Sequence, residues 1–219
     1  MPTSVEALRP LVRLLIERGD GRRAAGFVGA ALRANPQSLL LTILALETAL
    51  KIGELGAAKG FVDRGRALNA EDDDIQRLTV DYYVATRDFD AASTAAGLLA
   101  QHWTALHGPE RGIRFLEQLL RQTGDRLDLL WRLIALTIRA GDSTRVLRHA
   151  TVFARLANRE GDRVRAVEML RRASRTERLD PSVSMALTDL AMSLEKASGA
   201  PARPGDTSQA RMTEAPQPS

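Results

Sequence analysis

The sequence predicts an all-α fold, an α-solenoid of about five helix-turn-helix repeats followed by a C-terminal capping helix. A glycine-acid pair recurs at steps of 34, 34, 37 and 37 residues. Its copies are Gly19-Asp20, Gly53-Glu54, Arg87-Asp88, Gly124-Asp125 and Gly161-Asp162. A small or apolar residue follows each copy at the same distance: Ala24, Ala58, Ala92, Leu129 and Ala166. Periods of about 20–50 residues indicate stacked units that bury their apolar faces against one another.

Apolar residues at helical spacing predict two helices in each repeat. In the first repeat, Leu8, Leu11 and Leu15 mark one face of a helix that ends at Gly19, and a second helix ends near residues 35–36. The pattern then predicts helices at about 38–52, 55–69, 72–87, 89–106, 110–123, 126–140, 146–160, 163–178 and 182–197. The last of these would cover the exposed end of the stack, as terminal units must.

The recurring pair has a mechanism at the turn between two helices. Glycine supplies the left-handed backbone that a helix end needs. The acidic residue after it can accept amide hydrogen bonds from the next helix and suits the positive end of that helix. Arg87 replaces the glycine in the third copy. A strained backbone and a different turn are both open for Arg87.

Composition bounds the class of protein. The chain has 219 residues and no cysteine, which excludes disulfides and cysteine-based metal sites. We identify no apolar run of the roughly 18–20 residues that a membrane span needs and no signal peptide, so we expect a cytoplasmic protein. Arginine outnumbers lysine 28 to 3, a bias typical of GC-rich bacterial genomes. We predict a solenoid over residues 1–198 and a disordered Pro/Gly/Ser-rich tail over 199–219.

The repeats resemble those of the tetratricopeptide-repeat family over residues 5–181. The first repeat supplies the large and small apolar residues of that pattern, namely Leu8, Leu11, Leu15, Ala24, Val28 and Ala31, and its proline, Pro36. The fourth repeat departs from the pattern, because Leu129 and Leu136 stand where small residues belong. We therefore expect its two helices to pack further apart.

The resemblance implies that the first helix of each repeat lines a concave groove. In repeats two and three the implied groove positions are Leu40, Ile43, Leu44, Glu47, Leu50, Lys51, Asp74, Arg77, Leu78, Asp81, Val84 and Ala85. In repeats four and five they are Arg111, Arg114, Phe115, Gln118, Arg121, Gln122, Arg148, Thr151, Val152, Arg155, Asn158 and Arg159.

Two sets of these residues are candidate partner-binding sites. The first is an apolar wall in repeat two, formed by Leu40, Ile43, Leu44 and Leu50. The second is an arginine cluster in repeats four and five: Arg111, Arg114, Arg121, Arg148, Arg155 and Arg159. Arginine has a rigid donor fork suited to carboxylates, so an acidic or apolar-acidic protein segment would match both sets. The alternatives are an arginine-rich helix face exposed to solvent, and an apolar wall covered by a neighbouring helix or by self-association.

Other chemistry has little support in the sequence. Three histidines without cysteine or paired carboxylates make a poor metal site. The acidic run 71–74 lacks the alternation of a cation loop, and we expect it to cap the next helix. We predict no catalytic residues, metal or cofactor.

The leading hypothesis is a non-enzymatic adaptor that binds a protein segment in its groove. The alternatives are a secretion-type chaperone and a helical-repeat nucleic-acid-binding protein. For nucleic-acid binding, the sequence lacks exposed aromatics and lysine clusters.

Overall fold

A computed structural model describes residues 5–198, which form eleven α-helices and no strand. The helices are α1 (Val5–Glu17), α2 (Gly21–Ala34), α3 (Leu39–Ile52), α4 (Leu55–Asn69), α5 (Asp73–Ala85), α6 (Phe89–His107), α7 (Pro109–Thr123), α8 (Leu127–Ala140), α9 (Ser143–Glu160), α10 (Arg163–Ser174) and α11 (Pro181–Ser198). The predicted all-α helical-repeat fold is therefore confirmed. The prediction of a disordered tail at 199–219 lies outside the described residues.

The chain divides into two compact units, Met1–Ala140 and Gly141–Ser219. In unit 1, each helix from α1 to α7 packs on the next one in the chain, and α8 packs on α7. The first helices of successive repeats also contact one another, α1 with α3 and α3 with α5, so they form one layer. In unit 2, α11 packs on both α9 and α10.

Small residues let the two helices of a repeat approach closely. Ala24, Ala58 and Ala92 are fully buried in unit 1, and Ala166 is 1% exposed in unit 2. The backbone amides of these four residues donate to the carbonyls of Asp20, Glu54, Asp88 and Asp162, respectively, over 2.9–3.1 Å. The spacing between the acid and the alanine therefore follows from one backbone hydrogen bond that starts the second helix of each repeat.

The acidic side chains cap their helices less often than the sequence suggests. Asp88 accepts from the Ala91 amide over 3.1 Å, whereas Asp20, Glu54 and Asp162 make no side-chain capping bond. The backbone carbonyl of each acid still accepts the first helical bond. The acidic run 71–74 behaves as expected, because Asp72 caps α5 through the amides of Asp74 and Ile75.

The fourth turn differs from the others by one residue. Here the first helical bond runs from the Leu130 amide to the Arg126 carbonyl. The structural counterpart of Ala24 is therefore Leu130 and not Leu129, which corrects the alignment of this repeat. Gly112 on α7 leaves space for the large side chain of Leu136 on α8. A Cβ atom at position 112 would lie only 3.3 Å from Leu136 Cδ1.

Arg87 adopts the conformation that its neighbours reach with glycine. Its φ is 61°, and among the described residues it is the one non-glycine residue with positive φ. The corresponding turn residues Gly19, Gly53 and Gly161 have φ between 78° and 82°. The third turn thus keeps the shared geometry at the cost of a strained backbone.

Candidate partner-binding groove

Three first-of-repeat helices, α3, α5 and α7, line a cavity of about 560 Å³ in unit 1. We call it the inner groove. Its lining residues are Glu47, Leu50, Lys51, Arg77, Leu78, Asp81, Val84, Ala85 and Gln122. All of them occupy positions at which the sequence predicts a groove. Of the residues named above as candidate binding residues, Leu50 lines this cavity.

Arg77 holds the charged wall of the inner groove together. Its Nη1 atom lies 3.1 Å from Asp81 Oδ2 on the same helix, and its Nη2 atom lies 3.6 Å from Glu47 Oε1 on α3. Asp74 also lies 3.6 Å from Arg77 Nη2. Arg9 of α1 approaches Glu47 at 3.9 Å. Glu47, Asp74 and Asp81 are thus each within ion-pair distance of an arginine.

Asp81 has the perturbed carboxyl group of this wall. Partial burial raises the pKa of Asp81 above its ordinary value, and the negative charge of Glu47 acts in the same direction. The positive charge of Arg77 opposes the shift without cancelling it. Asp81 is therefore held as a carboxylate less firmly than a solvent-exposed aspartate would be.

Besides its charged wall, the inner groove has an apolar floor and one lysine, Lys51. Lys51 is exposed in the last turn of α3, and no carboxylate of the described residues pairs with it. Leu78 is buried, and Leu50 and Val84 are half-buried. The cavity therefore combines an apolar surface with a lysine that has no ion-pair partner among the described residues.

The predicted apolar wall is wrong for two of its four residues. Ile43 and Leu44 are 1% and 2% exposed and belong to the core, whereas Leu40 is 55% exposed. The reason is that α1, α2, α4 and α5 all pack on α3 and bury it on nearly every side. Ile43 and Leu44 thus follow the alternative reading, in which a neighbouring helix covers the wall.

The arginines of α7 have different environments. Arg111 is half-buried; its Nη2 atom lies 3.1 Å from Asp73 Oδ2, and its guanidinium lies 3.9 Å from the Trp103 ring centroid. It therefore stabilises the contact between α5, α6 and α7 and has little freedom to bind a partner. Arg114 and Arg121 are exposed, and neither pairs with a carboxylate of residues 5–198. They lie seven residues apart, on one face of the helix.

The arginines of α9 belong to unit 2. Arg148, Arg155 and Arg159 are exposed, and their spacing places them on one stripe of the helix. Within the described part of the chain, no carboxylate pairs with Arg155 or Arg159. The structure thus describes an arginine row on α7 in unit 1 and another on α9 in unit 2.

The histidines were considered above as metal ligands. His102 Nε2 lies 3.7 Å from Asp73 Oδ1, His149 is buried, and His107 is exposed at the end of α6. In the described ranges, no group of three or more histidine or carboxylate side chains could hold a metal ion. In the same part of the chain, the search for a helix with the length and hydropathy of a membrane span finds none.

Sequence reasoning missed the network around Arg77. The spacing of Arg77 and Asp81 by four residues predicts an ion pair on one helix. The link to Glu47 crosses from α5 to α3, and it depends on how far the helices lie apart. A sequence pattern alone does not give that distance.

No protein-family model and no curated protein sequence matches the chain. A tetratricopeptide repeat protein from Parabacteroides merdae ATCC 43184 is similar in structure, with a TM-score of 0.36 and 15% sequence identity over 87% of this chain and 85% of that one. The repeat architecture described above is evident from the helices themselves and does not depend on this similarity.

Proposed function

We propose that this protein is a non-enzymatic interaction module that holds a segment of a protein partner in the inner groove. The cavity between α3, α5 and α7 is the observation that supports this most. Its volume of about 560 Å³ is that of a pocket for a few side chains. Pockets that hold ligands typically measure ~300–1,000 Å³ and combine apolar walls with a few polar groups.

The unpaired Lys51 and the apolar floor of the inner groove favour an acidic or apolar-acidic segment. Arg77 and Arg9 already compensate Glu47 and Asp81, so these carboxylates attract a basic partner weakly. Lys51 has no such partner among the described residues. An apolar side chain would contact Leu50, Leu78 and Val84, and an adjacent carboxylate would pair with Lys51. Because such a pair would be partly shielded from water, its removal should weaken binding measurably.

Peptide selection with matched variants tests this proposal. A displayed peptide library is selected on the full chain, and the affinity of the enriched peptides is measured by fluorescence anisotropy. Ala85→Phe fills the cavity, Lys51→Glu reverses the unpaired charge, and Lys59→Glu makes the same change on the exposed face of α4. We expect enriched peptides to combine apolar and acidic residues. Ala85→Phe and Lys51→Glu should each weaken binding about tenfold, and Lys59→Glu should not.

Two outcomes would reject the proposal. Enriched peptides that are basic would contradict the charge argument, and full affinity in Ala85→Phe would place the binding site elsewhere. Tight binding of single-stranded RNA with a steep salt dependence, in the absence of peptide binding, would support the nucleic-acid alternative. Circular dichroism of each variant checks that the helices are intact.

The arginine rows extend the same proposal to each unit separately. We assign Arg114 and Arg121 on α7, and Arg155 and Arg159 on α9, to acidic residues of the partner. Their like charges repel one another, which an anionic partner would relieve. Changing Arg114→Glu or Arg155→Glu should weaken binding of the full-length partner and reduce its salt dependence. Unchanged affinity in both variants would show that the rows are solvent-exposed helix faces.

A further inference from the structure

A second cavity of unit 1 lies between α4, α5 and α6 and measures about 540 Å³. We call it the α4–α6 pocket. Its lining residues are Arg66, Ala70, Ile75, Gln76, Thr79, Tyr83, Asp90, Ala91, Thr94, Ala95 and Leu98. None of them lines the inner groove. The proposed function therefore makes no use of this pocket.

Small residues keep the α4–α6 pocket open. Ala70 at the end of α4 and Ala91 and Ala95 on α6 leave space that longer side chains would fill. Ile75 forms a buried floor. Leu98 also lines the pocket and is 62% exposed. An apolar molecule in the pocket would cover part of this leucine.

Four of the six polar side chains of the pocket have partners within the chain, whereas the Tyr83 hydroxyl and Arg66 have none among the described residues. Gln76 Nε2 donates to the Ala70 carbonyl at 3.1 Å, and Thr79 Oγ1 donates to the Ile75 carbonyl at 2.7 Å. Thr94 Oγ1 donates to the Asp90 carbonyl at 3.0 Å. The Asp90 carboxylate pairs with Arg126. These bonds leave an apolar lining with little unmet demand for hydrogen bonds.

Arg66 is the charged one of the two side chains without a partner. It is exposed in the last turn of α4, and no carboxylate of the described residues pairs with it. A guanidinium binds a carboxylate through two parallel hydrogen bonds, which adds affinity and fixes orientation. We propose that the α4–α6 pocket binds a small amphiphile, with its apolar body against Ile75, Ala95 and Leu98 and its single carboxylate on Arg66.

Decanoate and decanol test this proposal as a charged and a neutral probe of equal chain length. Each is titrated into the full chain carrying labelled methyl groups, and the resonances of Ile75 and Leu98 are followed by NMR. We expect decanoate to shift these methyls in a saturable manner and decanol to bind about tenfold more weakly, since a charge-assisted hydrogen bond is lost. Arg66→Gln should weaken decanoate binding by a similar factor, and Lys59→Gln should leave it unchanged.

Further variants control for misfolding and for binding of decanoate in the inner groove. Ala95→Leu and Ala91→Leu each fill the pocket from α6, and either variant that keeps its helical spectrum should lose decanoate binding. Lys51→Glu should not change it, so failure of the groove proposal leaves this one standing. Equal affinity for decanoate and decanol, an Arg66→Gln affinity equal to that of Lys59→Gln, or shifts that never saturate would each overturn the proposal.

Discussion

Arg77 of α5 reaches across to Glu47 of α3, and its Nη2 atom lies 3.6 Å from the Glu47 Oε1 atom. The same guanidinium pairs with Asp81 through Nη1 at 3.1 Å. One arginine thus links two helices of the layer that lines the inner groove. The consequence is that the carboxylates of the groove are compensated from within, and the character of the cavity is set by its apolar floor and by Lys51.

The pH dependence of stability tests the environment of Asp81. Burial raises the pKa of Asp81 in the folded chain, so its unfolded pKa, near 3.8, is the lower of the two. The folded state then gains relative stability below the unfolded pKa and loses it as pH rises through the folded pKa. The free energy of unfolding of the wild type, minus that of Asp81→Asn, should therefore decrease from pH 3.5 upward until the folded pKa is passed. An increase over this range would mean that the Arg77 pair dominates over burial.

The crossing of α6 and α7 should be intolerant of a single methyl group. A Cβ atom at Gly112 would lie 3.0 Å from the carbonyl oxygen of Ala100 and 3.3 Å from its Cβ. We predict that Gly112→Ala lowers the free energy of unfolding by about 1–3 kcal/mol. Gly60→Ala is the control, since nothing lies within 4 Å of its Cβ position on α4, and it should stabilise by about 0.5–1 kcal/mol. Equal effects in urea denaturation would contradict the close crossing.

The turn at Arg87 should become more stable with glycine. Arg87 has a φ of 61°, in the left-handed region that costs an L-residue roughly 1–2 kcal/mol. Part of the gain is lost because glycine also loosens the unfolded chain. We therefore expect Arg87→Gly to raise the free energy of unfolding by up to about 1 kcal/mol. Gly53→Ala makes the reverse change at a φ of 78° and should destabilise; a destabilising Arg87→Gly would show that the arginine side chain matters more than the backbone.

In unit 2, the buried small residue near the start of α10 can be tested separately from unit 1. Ala166 of α10 is 1% exposed, and its amide bonds to the Asp162 carbonyl at the start of the helix. We predict that Ala166→Leu overpacks this site and lowers the free energy of unfolding by about 1–3 kcal/mol. Val164→Leu on the same helix, at a position that is 80% exposed, should change stability little. If Ala166→Leu is as mild as Val164→Leu, the two helices do not cross closely there.

The repeat pattern predicted much of the fold, because turns and periodicity are local properties. The glycine turns, the buried alanines and the order of eleven helices all follow from spacing along the chain. The end of α10 at Ser174 was not foreseen; the sequence predicted a helix to residue 178, although residues 174–178 are all polar. The turn before α8 is one residue longer than the others, which the sequence did not predict. The glycine-acid pair is present in this turn, but α8 begins one residue later than the pair suggests.

The candidate site was less predictable, because it depends on which helices cover one another. The positions that line the inner groove were correct for α5, which is open on that side. For α3 the same rule placed Ile43 and Leu44 in a groove, whereas four neighbouring helices bury them. Arg111 likewise has the right position, but Asp73 and Trp103 engage it. The register of a repeat tells which side of the helix a residue faces. It does not tell how far away the next helix lies or which group a charged side chain pairs with.

Site-specific photocrosslinking tests the central claim, the binding of a partner segment in the inner groove, most directly. A photoreactive amino acid replaces Ala85, which lines the groove, or Gly60, which is exposed on α4 with open space around it. Each variant is irradiated with the peptide selected on the wild type, and the products are mapped by mass spectrometry. The account predicts a crosslink from position 85 to the apolar-acidic stretch of the peptide and none from position 60. Equal crosslinking from both positions, or crosslinking from position 60 alone, would contradict it.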